Sequence, residues 1–164
     1  MRVPALQHTT TAMANPSPTP SPGPGAPSRA GDLHPANNRA DINSVEETVL
    51  AAVKHFGYPD ASVFALRLAL EEALVNAFMH GHRGLPASET VHLHYQAGPD
   101  QVRIEVTDKG PGYKPEAVAD PTLEENIELP SGRGLMLIRN FMSEVRHELD
   151  GRRLVMVYQR PEQV

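Results

Sequence analysis

The stretch Val63-Phe64-Ala65-Leu66-Arg67-Leu68-Ala69-Leu70-Glu71-Glu72-Ala73-Leu74-Val75-Asn76-Ala77-Phe78-Met79 decides how this chain is read. Its apolar residues fall on nearly every side of a helix, which predicts a largely buried element. Glu72 and Asn76 stand one turn apart and project from the same face. Burying an unpartnered amide costs about 1–3 kcal/mol, and a carboxylate costs more. Either water, a metal ion or a ligand receives the pair, or this face is a solvent-lit helix edge.

Outward from this helix the pattern stays regular. Gly57-Tyr58-Pro59 breaks the chain before it, Asp60 is the expected cap, and the helix is predicted over about 61–81, ending near Gly81. Upstream, Ser44-Val45-Glu46-Glu47 reads as a capping box opening a first helix with Val45, Val49, Ala52, Val53 and Phe56 on one stripe. Downstream, Val91, Leu93 and Tyr95 alternate with polar residues, and Val102, Ile104 and Val106 do the same after Gly98-Pro99-Asp100. These are two half-buried antiparallel strands.

A Gly/Pro-containing loop over about 109–131 leads to a third helix with Leu135, Leu137, Ile138, Phe141 and Met142. A closing hairpin pairs Val145–Leu149 with Leu154–Tyr158 around Asp150-Gly151. The expected fold class is α+β: a two-layer sandwich in which about three helices cover one face of a mostly antiparallel sheet.

Residues 1–40 are of another kind. They hold half of the 16 prolines, including Pro16, Pro18, Pro20, Pro22, Pro24 and Pro27. Such a segment offers too little apolar surface to offset the entropy of ordering, so it is expected to be a disordered tail, with the folded domain over 41–164. The 164 residues contain no cysteine, which rules out disulfides, thiolate zinc sites and cysteine nucleophiles and suits a reducing cytoplasm. A net charge of −5 argues against direct nucleic-acid binding. No apolar run reaches the length of a membrane span, and the N-terminus lacks the apolar core of a signal peptide.

Two further motifs carry chemistry. Asp108 keeps the parity of Val102, Ile104 and Val106, so its carboxylate is expected on the helix side of the sheet, a good acceptor for a ligand amino group. Lys109-Gly110-Pro111-Gly112 follows, with glycines that permit tight turns and close approach of a bound group. Ser131-Gly132-Arg133-Gly134 then enters the third helix, where free N–H groups and an arginine suit an anion. Each motif alone has a bland reading, as a turn or a flexible helix entry.

In order, Glu72-x-x-x-Asn76-x-x-x-His80-Gly81, Asp108-x-Gly110-x-Gly112 and Gly132-Arg133-Gly134-Leu135 resemble the three nucleotide boxes of the Bergerat-type ATPase fold. The wording Glu-Ala-Leu-Val-Asn-Ala looks most like the bacterial anti-sigma-factor serine/threonine kinases, over roughly 43–160. The resemblance implies ATP and Mg²⁺ as cofactors and phosphoryl transfer to a small antagonist (anti-anti-sigma) protein. It allows sequestration of a sigma factor and a homodimer. It implies Glu72 as general base, Asn76 as the Mg²⁺ ligand, Asp108 as acceptor of the adenine amino group and Gly112 as the place where the base approaches. Gly110 belongs to the same adenine loop, and Gly132, Arg133 and Gly134 would close over the phosphates. A nucleotide-gated binding module that transfers nothing is the alternative, and a histidine-kinase catalytic piece would need a helical phosphoacceptor segment that the tail does not supply.

Three departures from the family pattern stand out. Residues 29–42 offer only Leu33 and Ile42 for the family's apolar first strand, which is therefore expected to be altered or absent. Arg152-Arg153 follow Gly151 where relatives carry a threonine, and Lys114 is the single basic residue between Tyr113 and Ser131. His80, His82, His92 and His94 raise a zinc site only weakly, because His92 and His94 take the polar parity of a surface strand.

Overall fold

The computed structural model describes residues 27–112 and 133–162. In chain order these are β1 (Arg29–Leu33), α1 (Arg39–His55), α2 (Asp60–Asn76) continued by a π-helical turn (Ala77–Gly81), β2 (His92–Ala97) and β3 (Gln101–Thr107), followed by α3 (Arg133–Phe141), β4 (Glu144–Glu148) and β5 (Arg153–Gln159). The five strands lie in the order β1-β2-β3-β5-β4, every neighbouring pair antiparallel. The expected two-layer α+β sandwich is what the chain adopts.

Period-2 alternation sends Leu93, Tyr95, Val102, Ile104, Val106, Leu154 and Met156 to the inner face, where Val49, Val53, Leu66, Leu70, Leu74 and Ile138 of the helices meet them. Truncating one of the fully buried leucines costs about 2–5 kcal/mol. The outer face is a ladder of ion pairs: Arg103–Glu105 at 2.8 Å, Arg153–Glu105 at 3.5 Å, Arg153–Glu148 at 3.7 Å and Arg146–Glu148 at 2.9 Å, closed by Arg146–Glu144. Among the described residues no helix is long and apolar enough to cross a membrane.

Several expectations are corrected. The first strand exists: Arg29–Leu33 pairs with β2 from Arg29↔Ala97 to Leu33↔Leu93. Its ladder is made by backbone groups, so the scarcity of apolar side chains does not prevent it. Residues 29–40 therefore belong to the folded unit, while residues 1–26 of the expected tail lie outside the described residues. Asp32 of β1 accepts from His92 at 2.7 Å and lies 3.1 Å from His94, so these two histidines serve an edge carboxylate.

Helix α1 starts five residues before the proposed capping box. Its cap is Asn38, whose side chain accepts the Asp41 N–H at 2.9 Å, whereas the Ser44 carbonyl accepts from Thr48 within the helix. Pro59, not Asp60, is the N-cap of α2, and Asp60 lies in the first turn. Nor is this helical run buried all round, because Phe64 (58 %) and Val75 (41 %) of α2 and Met79 (63 %) of the π turn are exposed. Phe141, at the last turn of α3, is also exposed, leaving Ile138 and Met142 as the buried contacts. The β4–β5 turn spans Leu149–Arg152 rather than two residues, with positive φ at Leu149, Asp150 and Gly151.

Candidate nucleotide site

The first and third motifs meet because α3 packs beside α2. Gly134, in the first turn of α3, sits against the Glu72 carboxylate so closely that a Cβ there would stand 2.2 Å from Glu72 Oε2 and 3.6 Å from Asn76 Nδ2. Both side chains are half-buried, and neither makes a hydrogen bond or ion pair among the described residues. A carboxylate and an amide with no such partner keep oxygen atoms able to accept from, or ligate, a bound group.

The second motif joins through the π turn. After Asn76 the backbone widens by one residue, with the His82 N–H reaching Ala77 O at 2.8 Å. This sets Gly81 directly on Asp108, where a Cβ would fall 2.3 Å from Asp108 Cγ. It also sets Gly110 on the Gly81 carbonyl, where a Cβ would fall 1.8 Å from the oxygen. Gly112 has φ +94° and lies against the Asp150 carbonyl of the β4–β5 turn, 2.1 Å from where its Cβ would be. Only glycine fits these positions.

Three successive N–H groups of this loop are tied. Asp108 N–H donates to Arg152 O at 2.9 Å, Lys109 N–H to His82 Nε2 at 3.1 Å and Gly110 N–H to Asp108 Oδ1 at 2.7 Å. Burial pushes the Asp108 carboxyl above its ordinary range, against the opposing pull of the Gly110 N–H and the nearby Arg152. Lys109 is turned away to Glu89 at 2.5 Å, and holds that carboxyl below its ordinary range. Asp108 is thus a half-buried acceptor with one oxygen already bonded, at the end of a central strand.

A family model described as a histidine kinase-like ATPase domain matches residues 35–158. The chain belongs to that family. It is also similar to the serine/threonine-protein kinase BtrW of Bordetella bronchiseptica, 32% identical over 88 residues, which cover 52% of this chain and 61% of that protein. The match thus spans about three-fifths of the relative's length. The Bergerat-type resemblance read from the three boxes agrees with both findings, and the family's fold is one that binds ATP.

For this histidine kinase-like ATPase domain, Glu72, Asn76 and Gly134 come together, as do Gly81, Asp108, Gly110 and Gly112. The backbone of Arg133 opens α3, while its side chain and Gly132 lie outside the described residues, as do Tyr113, Lys114 and the rest of the expected lid. Two partners escaped the sequence reading. His82, buried at 7 % exposure, holds the loop after Asp108, and the Asp150 carbonyl backs Gly112. The pair Gly81-His82 after a long apolar helix is the only signal for the first, and its depth depends on the π turn.

Proposed function

We propose that this ATPase-family domain is an ATP- and Mg²⁺-dependent serine/threonine kinase that phosphorylates a small antagonist protein, in the manner of an anti-sigma-factor kinase, and that the same face, or one next to it, sequesters a sigma factor. The observation that carries the reading is the contact of Gly134 with Glu72 and Asn76, which draws the two outer boxes onto one site. The name of the similar Bordetella protein supports the choice of a hydroxyl acceptor.

Asn76 fits a magnesium ligand on the chemistry of its surroundings: an amide oxygen, half-buried, unbonded among the described residues and one turn from a carboxylate. Mg²⁺, when bound, would neutralise charge on the phosphate oxygens. Asp108 would accept the adenine amino group through its open oxygen. The substrate hydroxyl oxygen attacks the γ-phosphorus, the bond from that phosphorus to the β–γ bridging oxygen breaks, and ADP leaves. The hydroxyl proton passes to the Glu72 carboxylate. Arg133 and Gly132 would close over the phosphates from the start of α3.

The test is transfer of labelled γ-phosphate to candidate antagonist proteins by wild type and Glu72→Gln. The kinase reading expects turnover to fall by about 10²-fold or more in the variant, with ATP still bound. A variant that binds ATP and controls its partner as wild type does would mark a nucleotide-gated binding module instead.

A further inference from the structure

His82 is a buried imidazole that the chemistry above does not use. Its backbone N–H is fixed to Ala77 O at 2.8 Å, and its ring meets Phe78 edge-on at 5.7 Å, so the ring has a fixed place. Lys109 N–H donates to Nε2, which must therefore be the bare nitrogen, and the neutral ring carries its proton on Nδ1. That Nδ1 is buried and finds no partner among the described residues. A leucine or methionine would fill the same space without leaving a buried polar atom unbonded, so packing alone is a poor reason for this histidine.

The bond it makes lies one residue past Asp108. The close approaches of Gly81 to Asp108 and Gly110 are steric and cannot resist the loop's moving away. Among the described residues the His82–Lys109 bond is the hydrogen bond that pulls this loop onto the end of the helix.

We propose that His82 is a positioning residue which holds the Lys109 backbone so that Asp108 is aimed at the exocyclic amino group of a purine, and thereby sets the preference of the site for a 6-amino base. The proposal rests on the ATP reading above. Without the bond Asp108 N–H stays on Arg152 O, but Lys109 and the Gly110 N–H that holds Asp108 Oδ1 are released from the helix end. The Asp108 carboxylate then loses its aim while the phosphate side of the site is untouched.

The experiment is calorimetry with ATP and with purine riboside triphosphate, which lacks the 6-amino group, on wild type, Asp108→Asn, His82→Leu and His82→Gln, with thermal unfolding of each. Wild type is expected to prefer ATP by about tenfold or more, and Asp108→Asn to lose that preference. His82→Leu should lower the ratio about fivefold or more with little change toward the amino-less nucleotide. His82→Gln, whose Oε1 can accept from Lys109, should restore most of it. Should His82→Leu fail to fold, His82→Asn takes its place, since its carbonyl stops near the position of Nδ1. Equal weakening of both nucleotides with the ratio intact, or equal binding of both by wild type, would overturn the proposal. Wild type binding neither would overturn the ATP reading along with it.

Discussion

Gly110 rests on the carbonyl oxygen of Gly81 so closely that a methyl group at residue 110 would stand 1.8 Å from it. The end of the α2 helical run and the loop after β3 thus meet glycine to glycine, with Asp108 caught between them.

Gly110→Ala must push the loop off the helix end. The expected cost is about 1–3 kcal/mol of stability, with ATP affinity falling because Asp108 moves with the loop. Gly98→Ala is the control: its Cβ would meet the Pro27 carbonyl at 3.5 Å, an ordinary contact, and should cost less than about 0.5 kcal/mol. Denaturant melts of the two variants check this.

Asp108 is expected to trade stability for binding. Its folded carboxyl is raised above the ordinary value of 3.8 by burial, so the folded state holds its proton to higher pH than the unfolded state does. Stability from this group is therefore present at low pH and lost as pH rises through the folded value. Glu46, buried beside Arg67 at 3.3 Å, is raised by the same cause and acts with the same sign. Asp108→Asn removes the buried charge and keeps an acceptor for Gly110 N–H. Its thermal midpoint at neutral pH should rise relative to wild type, and by less near pH 4.

His147 works the other way. Burial pushes its imidazole below the ordinary value of 6.5, with the nearby Arg139 adding to the effect. The unfolded state then takes up a proton that the folded state refuses, so stability falls as pH drops below about 6.5 and levels off below the folded value. Thermal scans across this window should show a loss that His147→Phe reduces.

The C-terminal end of β5 is locked by Arg160. It donates through Nη1 to Phe56 O at 2.8 Å and Pro99 O at 3.2 Å, donates through Nη2 to Gly57 O at 2.8 Å, and lies 5.0 Å over the Tyr58 ring. Arg160→Ala leaves these carbonyls without their donor and should cost about 1–3 kcal/mol. Nucleotide affinity should be unchanged, because these bonds join α1 to the β2–β3 and β5 ends, away from Asp108. A melt paired with a binding titration tests both halves.

What the sequence makes legible follows from which forces write themselves into side chains. The strands around Leu93, Ile104 and Met156 and the buried stripe of α1 are read from periodicity, because burial selects their residues one by one. The second box is readable because close backbone approach demands glycine at Gly110 and Gly112. β1 was hidden because an edge strand can be held by backbone bonds, with only Leu33 needing to be apolar. Asn38 was hidden by the competing signal at Ser44, and the π turn because nothing in Ala77–Gly81 announces a widened turn. His82 follows from that turn and was equally out of reach. The exposed Phe64, Val75 and Met79 show the limit of reading burial from apolarity alone.

The most direct test of the ATP site is calorimetric titration of the full chain with ATP, with and without Mg²⁺, on wild type and Asp108→Asn. Wild type should bind saturably and more tightly with Mg²⁺, and binding should be lost or weakened about 10-fold or more in the variant. Absence of binding by wild type at millimolar ATP, or equal binding by the variant, would contradict the ATP reading.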